Sequence, residues 1–356
     1  MRFSEVFETI GLTSYLKYDI LPANMSIMQQ QTKRKRIESL YVLKAICAFF
    51  VVYIHVSGDH PLLMPIIGVG TPCFLAITGY LLYSADSERE VMKCKKWAFK
   101  SFWLACCCAL LYMTAYYIKG ENYFQQSLSF HIQNMLLGNM VSGHLWYLTA
   151  IWQALLVLVL VVRYIPKTMY VLPLMFLVAF YLRTYYEPFH PGTGALRSNF
   201  LVTSLPFLAT GYLVHKHEEW LTKKLNVKLC LLVSLIAVSA EFMLRLHFGL
   251  RYSYFMLSSY PLVVSLMLTC VIFKDFTLPI LGKIGETHSP NIYYFHILFI
   301  GGMGHYLSIQ WPSELLALTA YILCIPFSIC FNFATEFFSQ KILPVFSRFI
   351  PRREQA

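Results

Sequence analysis

Charge is what this sequence has least of: 13% of its 356 residues are Asp, Glu, Lys or Arg, against 57% hydrophobic. A soluble core of that length needs polar faces on its helices, so the balance excludes an ordinary water-soluble fold. Zinc-type spacing is missing too. The ten cysteines are scattered, with no CxxC or Cys/His pattern, so neither a disulfide framework nor a metal site is expected. Cys106, Cys107 and Cys108 point to three different helix faces and read as small packing residues. No cleavable signal peptide is expected, because residues 1–32 carry polar and charged side chains throughout, and Met25 and Met28 leave a later translation start open. Internal repeats, low-complexity tracts and an appended soluble domain are also not seen.

What is present is a series of apolar runs, each near the roughly 20 helical residues that cross a bilayer. They predict an all-α, polytopic membrane protein of about ten helices, at Ile37–Ser57, Ile66–Ser84, Trp97–Ile118, His144–Arg163, Met169–Arg183, Asn199–His215, Val227–His247, Tyr252–Phe273, Asn291–His305 and Glu314–Glu336. The net charge of +11 does not indicate nucleic acid, because the cations sit in short runs between apolar segments, where they orient helices. Such runs are Lys33–Arg36, Arg89–Lys100, Lys216–Lys228 and Lys341–Arg353, and the alternate connections hold only isolated cations such as Lys119, Arg183 and Arg251. That asymmetry predicts both termini in the cytoplasm. Three segments follow: an N-terminal cytoplasmic stretch over 1–36, a membrane domain over 37–340 and a basic cytoplasmic tail over 341–356. Two outer connections are longer, Lys119–Gly143 and Thr184–Ser198, and are candidates to frame a substrate entrance.

Within the first helix, Lys44 and His55 interrupt an otherwise apolar run, where ionisable groups are costly unless used or paired. Their spacing returns them to nearly the same helix face, roughly 16 Å apart along the axis. Two readings are open on these residues alone: Lys44 snorkels to the cytoplasmic interface and His55 bonds within the bundle, or both serve a site. Glu241 and Arg245, four apart on one helix, read as a structural pair, and His296 reads as a satisfied core histidine.

The segment from Arg36 to His55, RIESLYVLKAICAFFVVYIH, resembles the first helix of the acyltransferase 3 family, whose usual pattern is an Arg, ten residues and a His. Lys44 stands at the Arg position and Tyr41 where many members carry Asp. The likeness continues through Gly68–Leu82 (GVGTPCFLAITGYLL), with Thr78 where the family has Ser; the basic run Lys93-Cys-Lys-Lys-Trp-Ala-Phe-Lys100; His144-Leu-Trp-Tyr-Leu148; and Gly282-Lys-Ile-Gly to His296. Each has a bland alternative, with Trp146 and Tyr147 as interfacial anchors and the lysines as an ordinary positive-inside cluster. Their joint order favours the family. The resemblance implies a membrane-bound O-acyltransferase of the inner (plasma) membrane that carries acetyl from acetyl-CoA to a cell-envelope carbohydrate. It implies His55 as base with His144 in the same cavity, Lys44 guiding the donor or balancing charge along its passage, and Lys93, Lys95, Lys96 and Lys100 as donor-phosphate contacts, without a metal. The competing class is an exporter of a glycan or small organic acid that uses Lys44 and His55 as a relay. A third is a membrane component whose polar residues only specify packing.

Overall fold

In the computed structural model, residues 37–57, 63–138, 140–186, 190, 199–249, 256–306 and 311–337 are described. The N-terminal stretch, the basic tail and most of Thr184–Ser198 lie outside them. Most of the described residues are helical, with no strand among them. In chain order the α-helices are α1 Glu38–Ser57, α2 Met64–Ile67, α3 Gly70–Leu82, α4 Ser87–Ile118, α5 Leu128–Leu137, α6 Trp146–Tyr164, α7 Met175–Tyr181, α8 Leu205–Lys216, α9 Glu218–Lys224, α10 Val227–His247, α11 Ser259–Ile272, α12 Pro279–Thr287, α13 Ser289–Tyr306 and α14 Ser313–Phe337. Residues Ile37–Ser328 form one compact unit; of the other unit, Ile329–Phe337 are described and are helical.

Among the described residues, six stretches are long and apolar enough to cross a membrane: Glu38–Val56, Met64–Leu82, Ser87–Ile118, Gly143–Tyr164, Val227–His247 and Ser313–Thr335. Leu172–Tyr186 and Ser259–Ile272 are shorter apolar helical stretches. The first of these is broken, as Pro173 sits in a 3₁₀ turn before α7 and a π segment, Leu182–Tyr186, follows it, which is how a proline without its N–H interrupts the ladder.

The third helix differs from its sequence expectation. It begins at Ser87 and not near Trp97, because Asp86 caps it by accepting from the backbone N–H groups of Glu88 (3.0 Å) and Arg89 (3.4 Å). The basic run Lys93–Lys100 is therefore helical, so its side chains have fixed faces. The expected loop Lys119–Gly143 likewise contains α5, started by Ser127, which accepts from Phe130 N–H at 3.2 Å, and ended at Gly138 with φ 78°.

Helix α1 is the centre of the packing, in contact with α3, α11, α12 and α13. Tyr321 of α14 donates to the Ala45 carbonyl (3.1 Å), Tyr53 donates to Glu314 (3.1 Å), and Ser39 donates to the Cys270 carbonyl (2.6 Å). Two glycines permit the closest approaches. A Cβ on Gly285 of α12 would overlap the Tyr41 carbonyl of α1, and one on Gly211 of α8 would overlap the Ala76 carbonyl of α3. With no lipid-driven hydrophobic force between helices, such backbone contact is a main source of association. Gly285→Ala is expected to cost about 1–3 kcal/mol, read as a lower melting temperature in detergent; unchanged melting would show that α12 does not pin α1.

Candidate active site

Three imidazoles meet at the far end of α1. The His55 ring lies 5.0 Å from that of His296 and 6.2 Å from that of His144, and His144 and His296 are 5.1 Å apart between centroids. His144 and His296 are buried, 3% and 0% exposed, whereas His55 is exposed. The cluster thus has one accessible ring backed by two enclosed ones. His144 reaches it from the 3₁₀ turn Gly143–Leu145 that opens α6, and His296 from α13.

Fixed partners assign the enclosed rings. A carbonyl only accepts, so His144 Nε2, 3.1 Å from the Tyr294 carbonyl, carries the proton, and its Nδ1 accepts from the Ser142 hydroxyl at 3.0 Å. Both nitrogens of His144 are engaged. His296 Nδ1 lies 2.8 Å from the Tyr293 carbonyl and 3.1 Å from that of Ile292, so it carries the proton. Its Nε2 is therefore a bare lone pair, buried and without a hydrogen-bond partner. Tyr112 of α4 donates to the same Tyr294 carbonyl at 2.9 Å and its ring is 5.0 Å from His144, closing the cluster from a further helix.

Lys44 lies toward the other end of α1, half-buried, its ammonium 5.8 Å from the Tyr41 ring centroid and within electrostatic reach of Glu286 on α12. It lines a cavity of about 220 Å³ together with Lys100, Thr78, Trp97, Tyr147, Tyr293 and Tyr294. The cavity meets the cluster through Tyr293, whose ring is 6.2 Å from His296 and 6.5 Å from His144 and whose hydroxyl donates to the His144 carbonyl at 3.3 Å. His55 does not itself line this cavity. Tyr147 packs against Tyr293 at 4.8 Å, so the aromatic pair forms the wall between cations and imidazoles.

The four lysines of the basic run separate. Lys100 faces the cavity. Lys93 donates to the carbonyls of Leu81, Leu82 and Tyr83 at 3.1, 3.2 and 3.4 Å, capping the end of α3. Lys95 and Lys96 are exposed on α4. Among the described residues no group of three His, Cys, Asp or Glu is arranged to hold a metal.

A larger cavity, about 750 Å³ between α7, α10 and α11, is walled chiefly by apolar side chains. Its polar end is the expected Glu241–Arg245 pair (3.0 Å), and Glu241 also accepts from Leu257 N–H and from the Ser258 N–H and hydroxyl. That carboxylate holds the start of α11 and has its lone pairs occupied.

Residues 37–335 match the family model described as an acyltransferase domain. The chain belongs to the acyltransferase 3 family. No curated protein and no solved structure matches the chain closely enough to add to that assignment. With the apolar spans, membership makes the protein a multi-pass membrane acyltransferase, whose activity requires an acyl donor and an acceptor.

Two features of the cluster escape a sequence reading. His296 reads as core, yet it faces His55, and the order Ile292-Tyr-Tyr-Phe-His296 was the available signal. Glu286 beside Lys44 carried none. His144→Ala leaves the Ser142 hydroxyl and the Tyr294 carbonyl each short of a partner, and is expected to lower stability by about 1–3 kcal/mol, measured by thermal unfolding; an unaltered melt would mean that His144 is not a structural tie.

Proposed function

We propose that this protein crosses the inner (plasma) membrane about ten times, with both termini cytoplasmic. It transfers an acyl group, acetyl from acetyl-CoA, to a hydroxyl of an envelope or surface polysaccharide or its lipid-linked precursor. The observation that carries the reading is the arrangement on one helix of Lys44, on a cavity with a second cation, and His55, in a histidine cluster reached through a shared aromatic wall.

The cavity suits a thioester donor. Its two ammonium groups, Lys44 and Lys100, match phosphate; its apolar walls match a pantetheine-like chain; and its size is that of a slot for a slender segment and not of a site for a whole nucleotide. The donor supplies an activated acyl carbon. Lys93, occupied by three carbonyls, is the least suited of the four lysines to hold phosphate, whereas Lys95 and Lys96 could meet it only outside the cavity.

His55 is the accessible imidazole and acts as general base. It takes the proton of the acceptor hydroxyl as the new C–O bond forms, and returns it to the departing sulfur as the C–S bond breaks, so that ester and thiol leave and the ring ends as it began. An imidazole suits both transfers because one ring nitrogen can accept a proton and give it back while the other keeps its own. Lys44 supplies a positive charge along the donor's path, partly balanced by Glu286. His144, with both nitrogens engaged, contributes by fixing the cluster and not by moving the proton.

Purified protein given labelled acetyl-CoA and candidate glycans is expected to lose about 10²–10⁴-fold in turnover on His55→Ala, the usual contribution of a general base. Lys44→Arg should keep much more activity than Lys44→Ala. Undiminished transfer by the His55 variant would refute its role. Lys100→Gln should raise KM for the donor several-fold, whereas Lys93→Gln should lower the melting temperature and leave that KM in place; the reverse pattern would move the donor site away from the cavity.

A further inference from the structure

The bare nitrogen of His296 needs an explanation. A buried polar atom without a partner costs free energy, and this one lies against two other imidazoles. His296 is 0% exposed, and its tautomer is fixed by two carbonyls that both claim Nδ1–H. The lone pair on Nε2 can therefore only accept. The titratable rings around it are His55 at 5.0 Å, His144 at 5.1 Å and Tyr293 at 6.2 Å. His144 has its one proton committed to Tyr294, and the Tyr293 hydroxyl is committed to the His144 carbonyl. His55 is the neighbour with a proton to give: among the described residues it forms no hydrogen bond, and an N–H···N bond between two imidazoles places their centroids roughly 5 Å apart.

The geometry points to His296 as the positioning residue of a histidine pair: its Nε2 accepts the N–H of His55, fixes the tautomer and orientation of that ring, and so turns the second nitrogen of His55 toward the acceptor hydroxyl. A third group that orients a catalytic base is a general feature of activated nucleophile sites, and its bond is often loose until substrate is present. Here the acceptor is a neutral imidazole held in one tautomer by backbone carbonyls, in place of a carboxylate, whose charge would be costly in this enclosure. As His55 takes the hydroxyl proton, its other N–H becomes the donor of an imidazolium and the bond to His296 strengthens; no proton passes on to His296, and the return of the proton to sulfur restores the starting pair.

This role rests on His55 being the base, so the test reads the pair with and without turnover. His296→Leu removes the acceptor; His296→Gln restores an acceptor oxygen near the Nε2 position. In protein labelled with ¹⁵N-histidine, the His55 nitrogens are expected to show one dominant tautomer in the wild type and in His296→Gln, and a tautomer mixture in His296→Leu. In the transfer assay His296→Leu should lower kcat about 10²-fold with donor KM unchanged, and His296→Gln should recover most of it. A single His55 tautomer retained in His296→Leu, or equal kcat in the Leu and Gln variants with both folded by thermal melt, would overturn the proposal. If the wild type shows the tautomer pattern but transfers no acyl group, the enzymatic part falls with the reading on which it rests, and only the histidine contact survives.

Discussion

Imidazoles enclosed in an apolar bundle persist only where the backbone and neighbouring side chains supply their partners, and that requirement organises this protein. The Tyr294 carbonyl accepts from both His144 and Tyr112, so one peptide group on α13 ties the start of α6 to the last turns of α4. The carbonyls of Ile292 and Tyr293, one turn before His296, hold that ring. Three separate stretches of chain are thereby locked around the end of α1. Without these bonds each nitrogen would carry a desolvation cost of a kcal/mol or more, and the three rings would have no reason to converge.

The rest of the architecture holds α1, which carries Lys44 and His55, in place. Gly285 lets α12 lie against the first turns of α1, which also brings Glu286 toward Lys44. Tyr321 and Glu314 of α14 bond α1 at Ala45 and Tyr53. Side chains of α3, α4, α6 and α13 complete the wall around the cavity that joins Lys44 to Lys100. One helix thus carries both groups, with the cation near one end and the imidazole near the other.

Much of this was legible in the sequence. Apolar run lengths located the long spans, helical periodicity put Lys44 and His55 on one face, and the four-residue spacing of Glu241 and Arg245 gave their pair. Other features were not legible, for physical reasons. Hydropathy stops at the membrane surface but helices do not, so the start of α4 at Asp86 was hidden by the polar residues that follow it, although the Asp was a usable cap signal. A run of lysines looks uniform in one dimension; only the helical turn decides that Lys93 caps α3 while Lys100 enters the cavity. The approach of His296 to His55 joins residues far apart in the chain. Periodicity within a helix says nothing about which helices are neighbours.

The central claim is that a thioester donor enters between Lys44 and Lys100 and presents its acyl end at the histidine cluster. A cryo-electron microscopy map of the protein with a non-transferable thioether analogue of acetyl-CoA tests it most directly. The account predicts density for the slender arm along Trp97, Thr78 and Tyr293, with the sulfur end nearest His55. Density in the apolar cleft between α7, α10 and α11, or an analogue bound with His55 out of reach of its sulfur, would contradict it.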